Sequence, residues 1–158
     1  MAQTQKRQPK GTPKGGEFAQ EHKPDGADLS SLDFRHISVR ISTLHHRDLR
    51  GAMARKADMQ GGELDGCNLS GVDFTRSNLE RTRFVDADLS NTTFFKTRVA
   101  GTEFRGAKIT NANFTGVRDL DKAKGLDQLS PDSGPPAELP EGWEYREHGI
   151  FKVGESNG

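Results

Sequence analysis

Three histidines, His36, His45 and His46, fall within an 11-residue stretch. Imidazoles at that density can hold a transition metal. No cysteine or carboxylate stands at a ligand spacing from them, so the expectation is solvated surface histidines and no metal site. Cys67 is the single cysteine. It sits among small residues with no basic neighbour, which predicts a buried and inert thiol, and one cysteine excludes an intramolecular disulfide framework. The glycines between Gly11 and Gly16 lack the Gly-x-x-x-x-Gly-Lys-Ser/Thr pattern and its strand-then-helix context, so no nucleotide or other cofactor is expected. Asp and Glu together number 23. They recur in one slot of a repeat, and no pair of them stands out as an acid–base couple. No catalytic residue, no small-molecule substrate and no enzyme activity are therefore expected.

What must position these side chains is a period of five. Every fifth residue from Leu29 is apolar through Phe114, eighteen positions without a slip, in a chain that is 31% apolar. Chance would give that run with a probability on the order of 10⁻⁹, so it has a structural cause. Five fits neither an α-helix nor a strand. It fits a chain that turns a corner every five residues and closes a four-sided coil every 20. Coils stacked about 4.8 Å apart would then number about 4.5 over residues 27–116.

Residues 20 apart should share a column. The columns are Leu29, Leu49, Leu69, Leu89 and Ile109; Phe34, Ala54, Phe74, Phe94 and Phe114; Val39, Met59, Leu79 and Val99; and Leu44, Leu64, Phe84 and Phe104. Two residues before each centre the side chain is usually small, as at Ala57, Cys67, Ala87 and Thr97, and it should point inward beside the larger groups. Two residues after it, glycine appears seven times, between Gly51 and Gly116, where a tight corner calls for positive φ. Two irregularities stand out. Ala54 leaves a gap in the phenylalanine column, which Met53 or Met59 should fill. Arg47 occupies a small inward slot, which predicts a local bulge or a side chain that escapes to solvent.

Matches such as Ala27-Asp28-Leu29, Cys67-Asn68-Leu69, Ala87-Asp88-Leu89 and Ala112-Asn113-Phe114 resemble the A(D/N)LXX motif of the pentapeptide-repeat family. The resemblance implies an all-β fold, a right-handed quadrilateral β-helix, and leaves activity open.

Both ends should differ from this rod. Residues 1–26 form an expected flexible leader or N-terminal cap. Arg7-Gln-Pro-Lys-Gly-Thr-Pro-Lys-Gly-Gly-Glu-Phe-Ala is similar to a leader motif of small bacterial and phage proteins, and Phe18 is a candidate anchor on the first coil. Residues 117–158 are read as a C-terminal cap and tail. Leu120, Ala123, Leu126 and Leu129 predict a short helix over 118–129. A Ser/Pro/Gly linker from Ser130 and a hairpin around His148-Gly149 should follow.

Lys plus Arg equals Asp plus Glu at 23 each, so net charge names no partner. No apolar run nears the roughly 20 residues that span a bilayer, and no signal peptide is visible, so a cytoplasmic protein without a membrane partner is expected. Within residues 35–56, Arg35, Arg40, Arg47, Arg50, Arg55 and Lys56 face one acid, Asp48. An acidic stretch, Asp58, Glu63, Asp65 and Asp73, comes next. Arg35, Arg40, Arg50, Arg55 and Lys56 are therefore the candidate partner surface.

The expected function is a non-catalytic interaction scaffold. Its expected partner is a protein or a second copy of the chain. Resemblance to quinolone-resistance pentapeptide proteins implies an alternative, DNA mimicry against a type II topoisomerase. That role needs a dense negative charge, yet residues 27–116 hold 13 basic and 11 acidic side chains. Nucleic-acid binding by the basic band ranks lower still, because no aromatic residues interleave with the cations.

Overall fold

The computed structural model describes residues 29–36 and 44–154. Ala27, Val39, Arg40 and the leader with Phe18 lie outside the described residues. The rest forms a repeat β-fold. Its coils pair through isolated parallel bridges between residues 20 apart, including Asp48 with Asn68, Asn68 with Asp88, and Asp88 with Lys108. The same spacing joins Asp58 to Asn78 and Asn78 to Arg98 on another side. At the Asp48–Asn68 bridge the bonds are paired: the Asn68 N–H donates to Arg47 O at 2.9 Å, and the Leu49 N–H donates to Asn68 O at 2.8 Å. The stack therefore satisfies its backbone groups without extended strands.

The corners explain the five-residue period. The N–H three residues after a central apolar residue donates to its carbonyl, as Ala52 does to Leu49 at 3.0 Å. From residue 46 on, the residue just before that donor adopts positive φ, either as glycine or as His46, Lys56, Arg76, Arg81, Asp86, Asn91, Lys96 or Asn111. At Gly106 a Cβ would also meet an Asp86 side-chain oxygen at 1.9 Å, so a larger residue there would have to displace that carboxylate. Where an aspartate or asparagine precedes the centre, it has a backbone task too. Its side-chain oxygen accepts the N–H two residues on, as Asp88 does from Ser90 at 2.9 Å and Asn113 from Thr115 at 2.8 Å.

The core is the stack of central residues. Leu49, Leu69, Phe74, Leu79, Phe84, Leu89, Phe94, Phe104 and Phe114 are fully buried, and Leu29 and Phe34 nearly so. Phe74, Phe94 and Phe114 stack with centroids 5.5 and 4.8 Å apart, and Phe104 meets Phe114 edge-on at 6.1 Å. The small inward slot carries a hydroxyl ladder. Thr82, Thr97 and Thr102 each donate to the carbonyl 23 residues earlier, at Met59, Phe74 and Leu79, at 2.6–2.8 Å. Each of those carbonyls already accepts a turn N–H, so the buried hydroxyl finds a second lone pair and desolvation is offset.

Several details differ from the sequence reading. No bulge appears at Arg47: the ladder through Asp48 and Asn68 is regular, and Arg47 is partly exposed. Ala54 is buried, Met59 is fully buried, and Met53 is 41% exposed, so Met53 does not fill the gap. A helix over 118–129 is replaced by one 3₁₀ turn, Leu120–Lys122, after Asp119 in the left-handed region at φ 60°. The apolar spacing there was real, but it places Leu120, Leu126 and Leu129 against the stack.

Residues 119–138 then run as an irregular layer over the last regular coil. Lys122 O, Lys124 O, Gln128 O, Pro135 O and Glu138 O accept from Gly101, Phe104, Gly106, Asn111 and Phe114. Ser133 Oγ accepts the Ile109 N–H at 3.0 Å. The expected linker from Ser130 is thus part of this layer, because open backbone donors of the coil beneath need partners. A hairpin follows, β1 Trp143–Arg146 and β2 Gly149–Lys152, turning through Glu147 and His148 at positive φ. It is tied down by the Ile150 N–H to Leu126 O at 2.8 Å and the Tyr145 hydroxyl to Ser133 O at 2.8 Å.

Candidate functional site

Inward positions are spent on packing, so any function lies on outward columns. The cations of the expected partner surface do not gather into one patch. Arg35 forks onto Asp33, with Nη2 at 2.7 Å from Oδ2. Arg50 forks onto Asp48 with Nε at 2.9 Å, and Arg55 reaches Asp73 at 3.2 Å. The first two pairs have a shared origin. An aspartate before the centre and an arginine after it point the same way, so the arginine lies over the carboxylate that holds its own N–H. The Asp33 hydrogen bond raises the Arg35 pKa, and the Arg50 hydrogen bond lowers that of Asp48. Arg40 lies outside the described residues.

Lys56 behaves differently. It belongs to a cleft along one corner of the stack, lined also by Ala57, Asp58, Arg76, Asn78, Lys96, Arg98 and Arg118. The geometry follows from the 20-residue coil. Lys56, Arg76 and Lys96 occupy the same positive-φ corner slot in successive coils, at φ 59°, 61° and 56°. Asp58, Asn78, Arg98 and Arg118 form the next column, bridged in register. Five cations thus line one cleft with a single carboxylate, Asp58. Asp58 accepts from Asn78 Nδ2 at 3.0 Å. Arg98 Nε lies 3.5 Å from Glu80 Oε1. Among the described residues Lys56, Arg76, Lys96 and Arg118 form no ion pair. The Lys96 ammonium lies 4.9 Å from the Phe95 ring centroid, which holds it beside the cleft.

A second cleft is lined by Arg81, Arg83, Gly101, Glu103, Arg105 and Lys124. It is less free, since Arg83 is held by Asp65 at 2.7 Å. The sequence reading passed over Arg76, Lys96, Arg98 and Arg118. Their signal was the spacing of 20 between Lys56, Arg76 and Lys96, and between Arg98 and Arg118, applied to outward residues.

The other candidates fall as follows. His45 and His46 have ring centroids 6.4 Å apart, and His45 Nε2 lies 3.5 Å from Glu63. His36 ends the 3₁₀ turn Phe34–His36. No group of three or more potential metal ligands occurs among the described residues. Cys67 is fully buried and its thiol donates to Leu44 O at 2.6 Å. Burial pushes its pKa up to about 11, so the nucleophilic thiolate is disfavoured at neutral pH. No helix among the described residues is long and apolar enough to cross a membrane.

Comparison with known proteins agrees with the repeat. The family model described as pentapeptide repeats (8 copies) matches residues 42–71, 63–94 and 87–118. No curated protein sequence matches the chain. Among solved structures, a trypsin-treated form of QnrB1, a plasmid-mediated fluoroquinolone resistance protein, is similar at 23% identity and a TM-score of 0.47, over 63% of this chain and 58% of that one. A pentapeptide repeat protein from the Arabidopsis thaliana thylakoid lumen is similar at 26% identity and a TM-score of 0.33, over 57% and 66% of the two chains. HetL from Nostoc sp. strain PCC 7120, involved in heterocyst differentiation regulation, follows at 14% identity and a TM-score of 0.27, over 65% of this chain and 61% of that one. This chain therefore spans less than two thirds of the QnrB1 chain. With bridges between residues 20 apart, aspartates and asparagines holding corners, and a family model matching residues 42–118, the chain belongs to the pentapeptide-repeat family.

Proposed function

We propose that this protein is a non-catalytic interaction scaffold: a right-handed four-sided rod of about 4.5 coils that displays columns of side chains to a macromolecular partner. The carrying observation is the division of labour along the repeat. Centres and small slots are consumed by the core and the hydroxyl ladder, aspartates and asparagines before the centres by the corners, and the remaining outward side chains are left for binding. A protonated, buried Cys67 fits the same reading. In this account residues 1–26 are a leader or N-terminal cap, 27–116 the rod, and 117–158 a C-terminal cap whose carbonyls satisfy the last coil. Cytoplasmic residence and self-association belong to the same proposal.

A topoisomerase-directed DNA mimic would present dense negative charge, as a duplex does. The two clefts described here are lined mainly by cations, which favours a scaffold with a basic surface over a mimic. Affinity capture from source cells, identifying bound protein and nucleic acid together, tests the scaffold reading. One partner should be retained in near-stoichiometric amount. Recovery no greater than with an unfolded bait would contradict the reading.

A further inference from the structure

The cleft at Lys56, Arg76, Lys96, Arg98 and Arg118 has a charge density that narrows the partner. These cations lie on four successive coils, so they span about 14 Å at a spacing of about 4.8 Å. With Arg98 paired to Glu80, four cations, Lys56, Arg76, Lys96 and Arg118, remain without an ion pair among the described residues over that length. One strand of a nucleic-acid duplex carries a phosphate about every 3.4 Å along the axis, or about four over the same length. The ladder thus matches the charge of a phosphodiester backbone.

Apolar chemistry at the cleft is missing in a way that chooses between polyanions. Protein interfaces rest on buried apolar and aromatic anchors. Among the described residues the large exposed hydrophobics are Met53 and Val153, and neither lines this cleft. The ring beside it, Phe95, is covered by the Lys96 ammonium, whereas single-stranded nucleic acid is held by stacking on successive rings. What remains is backbone contact, the sequence-independent part of duplex recognition.

We infer that this corner cleft is a docking site for the phosphate backbone of double-stranded nucleic acid, bound without sequence preference. The inference rests on the scaffold reading and names its partner. If it fails while affinity capture still returns a protein partner, the scaffold reading stands.

Fluorescence anisotropy with the full chain and a labelled 30-base-pair DNA duplex, as salt rises from 50 to 200 mM, tests this. With about four phosphates neutralised, affinity should fall about a hundredfold over that range. The variant Arg76→Asn/Lys96→Asn/Arg118→Gln, with asparagine chosen where φ is positive, should bind at least about tenfold more weakly at 50 mM and show a shallower salt dependence. Arg35→Gln/Arg50→Gln/Arg55→Gln changes net charge equally but removes cations already held by Asp33, Asp48 and Asp73, so it should bind within about threefold of wild type. Thermal melting checks that both variants fold. Absent duplex binding at 50 mM salt, equal losses in the two variants, tighter binding of single strands, or equal competition by polyglutamate at matched charge would each overturn the inference.

Discussion

Cys67 shows how one slot of the repeat fixes the chemistry of a side chain. Its thiol is enclosed between coils and donates to Leu44 O, and burial raises its pKa to about 11 from a reference value of 9.0. Folded protein should therefore react with iodoacetamide at least about a hundredfold more slowly than urea-unfolded protein, as read by mass spectrometry. The sign of the pH effect follows from linkage. Above pH 9 the unfolded thiol ionises first, so the stabilising difference present below pH 9 is lost as pH rises toward 11. Wild type should lose up to about 2 kcal/mol more than Cys67→Ala between those pH values in urea titrations. An equal loss in both proteins would contradict the burial argument. The inward position of Cys67 was legible from the period. The hydroxyl ladder in the same slot was not, because alanine, cysteine and threonine are equally small there. Only the stacked coils show that Thr97 has Phe74 O to bond.

Elements of this fold are legible while the period lasts. Eighteen apolar centres announce the coil, and its 20-residue bridges run through Arg98 with Arg118. At Asp119 one residue is absorbed in a left-handed turn, and the next bridge joins Glu103 to Lys124, 21 apart. Further on, Asn113 meets Glu138 at a spacing of 25. A segment whose spacing keeps changing has no period to read, so leucines over 120–129 look like a helix face. The layer depends instead on single bonds. Ser133 is nearly buried, and its hydroxyl satisfies the buried Ile109 N–H. Ser133→Ala should cost about 1–3 kcal/mol in urea unfolding, the usual cost of a stranded buried donor. A change under about 0.5 kcal/mol would show that the end of the stack does not rely on this bond.

Across the whole molecule, surface charge is organised by columns and not by stretches of sequence. The basic band over 35–56 looked like one surface because its residues are consecutive. Folding sends Arg35, Arg50 and Arg55 to separate aspartates and aligns Lys56 with Arg76 and Lys96, 20 and 40 residues away. Reading outward residues at a spacing of 20 recovers the cleft from sequence, but the pairings that occupy the other arginines depend on side-chain direction at each corner. Scaffold function and duplex docking therefore both require that outward residues 20 apart be immediate neighbours. Oxidative cross-linking tests that requirement most directly. In a Cys67→Ala background, Ser70→Cys with Ser90→Cys places two thiols on adjacent coils, since Asn68 and Asp88 beside them are bridged. Stacked coils put such Cα atoms about 4.8 Å apart, inside the roughly 4.4–6.8 Å range of disulfides. This pair should close rapidly and keep a cooperative melt, whereas Ser70→Cys with Val85→Cys, on a different side of the stack, should stay reduced. Equal cross-linking of the two pairs, or none in the first, would contradict the 20-residue coil and the columns built on it.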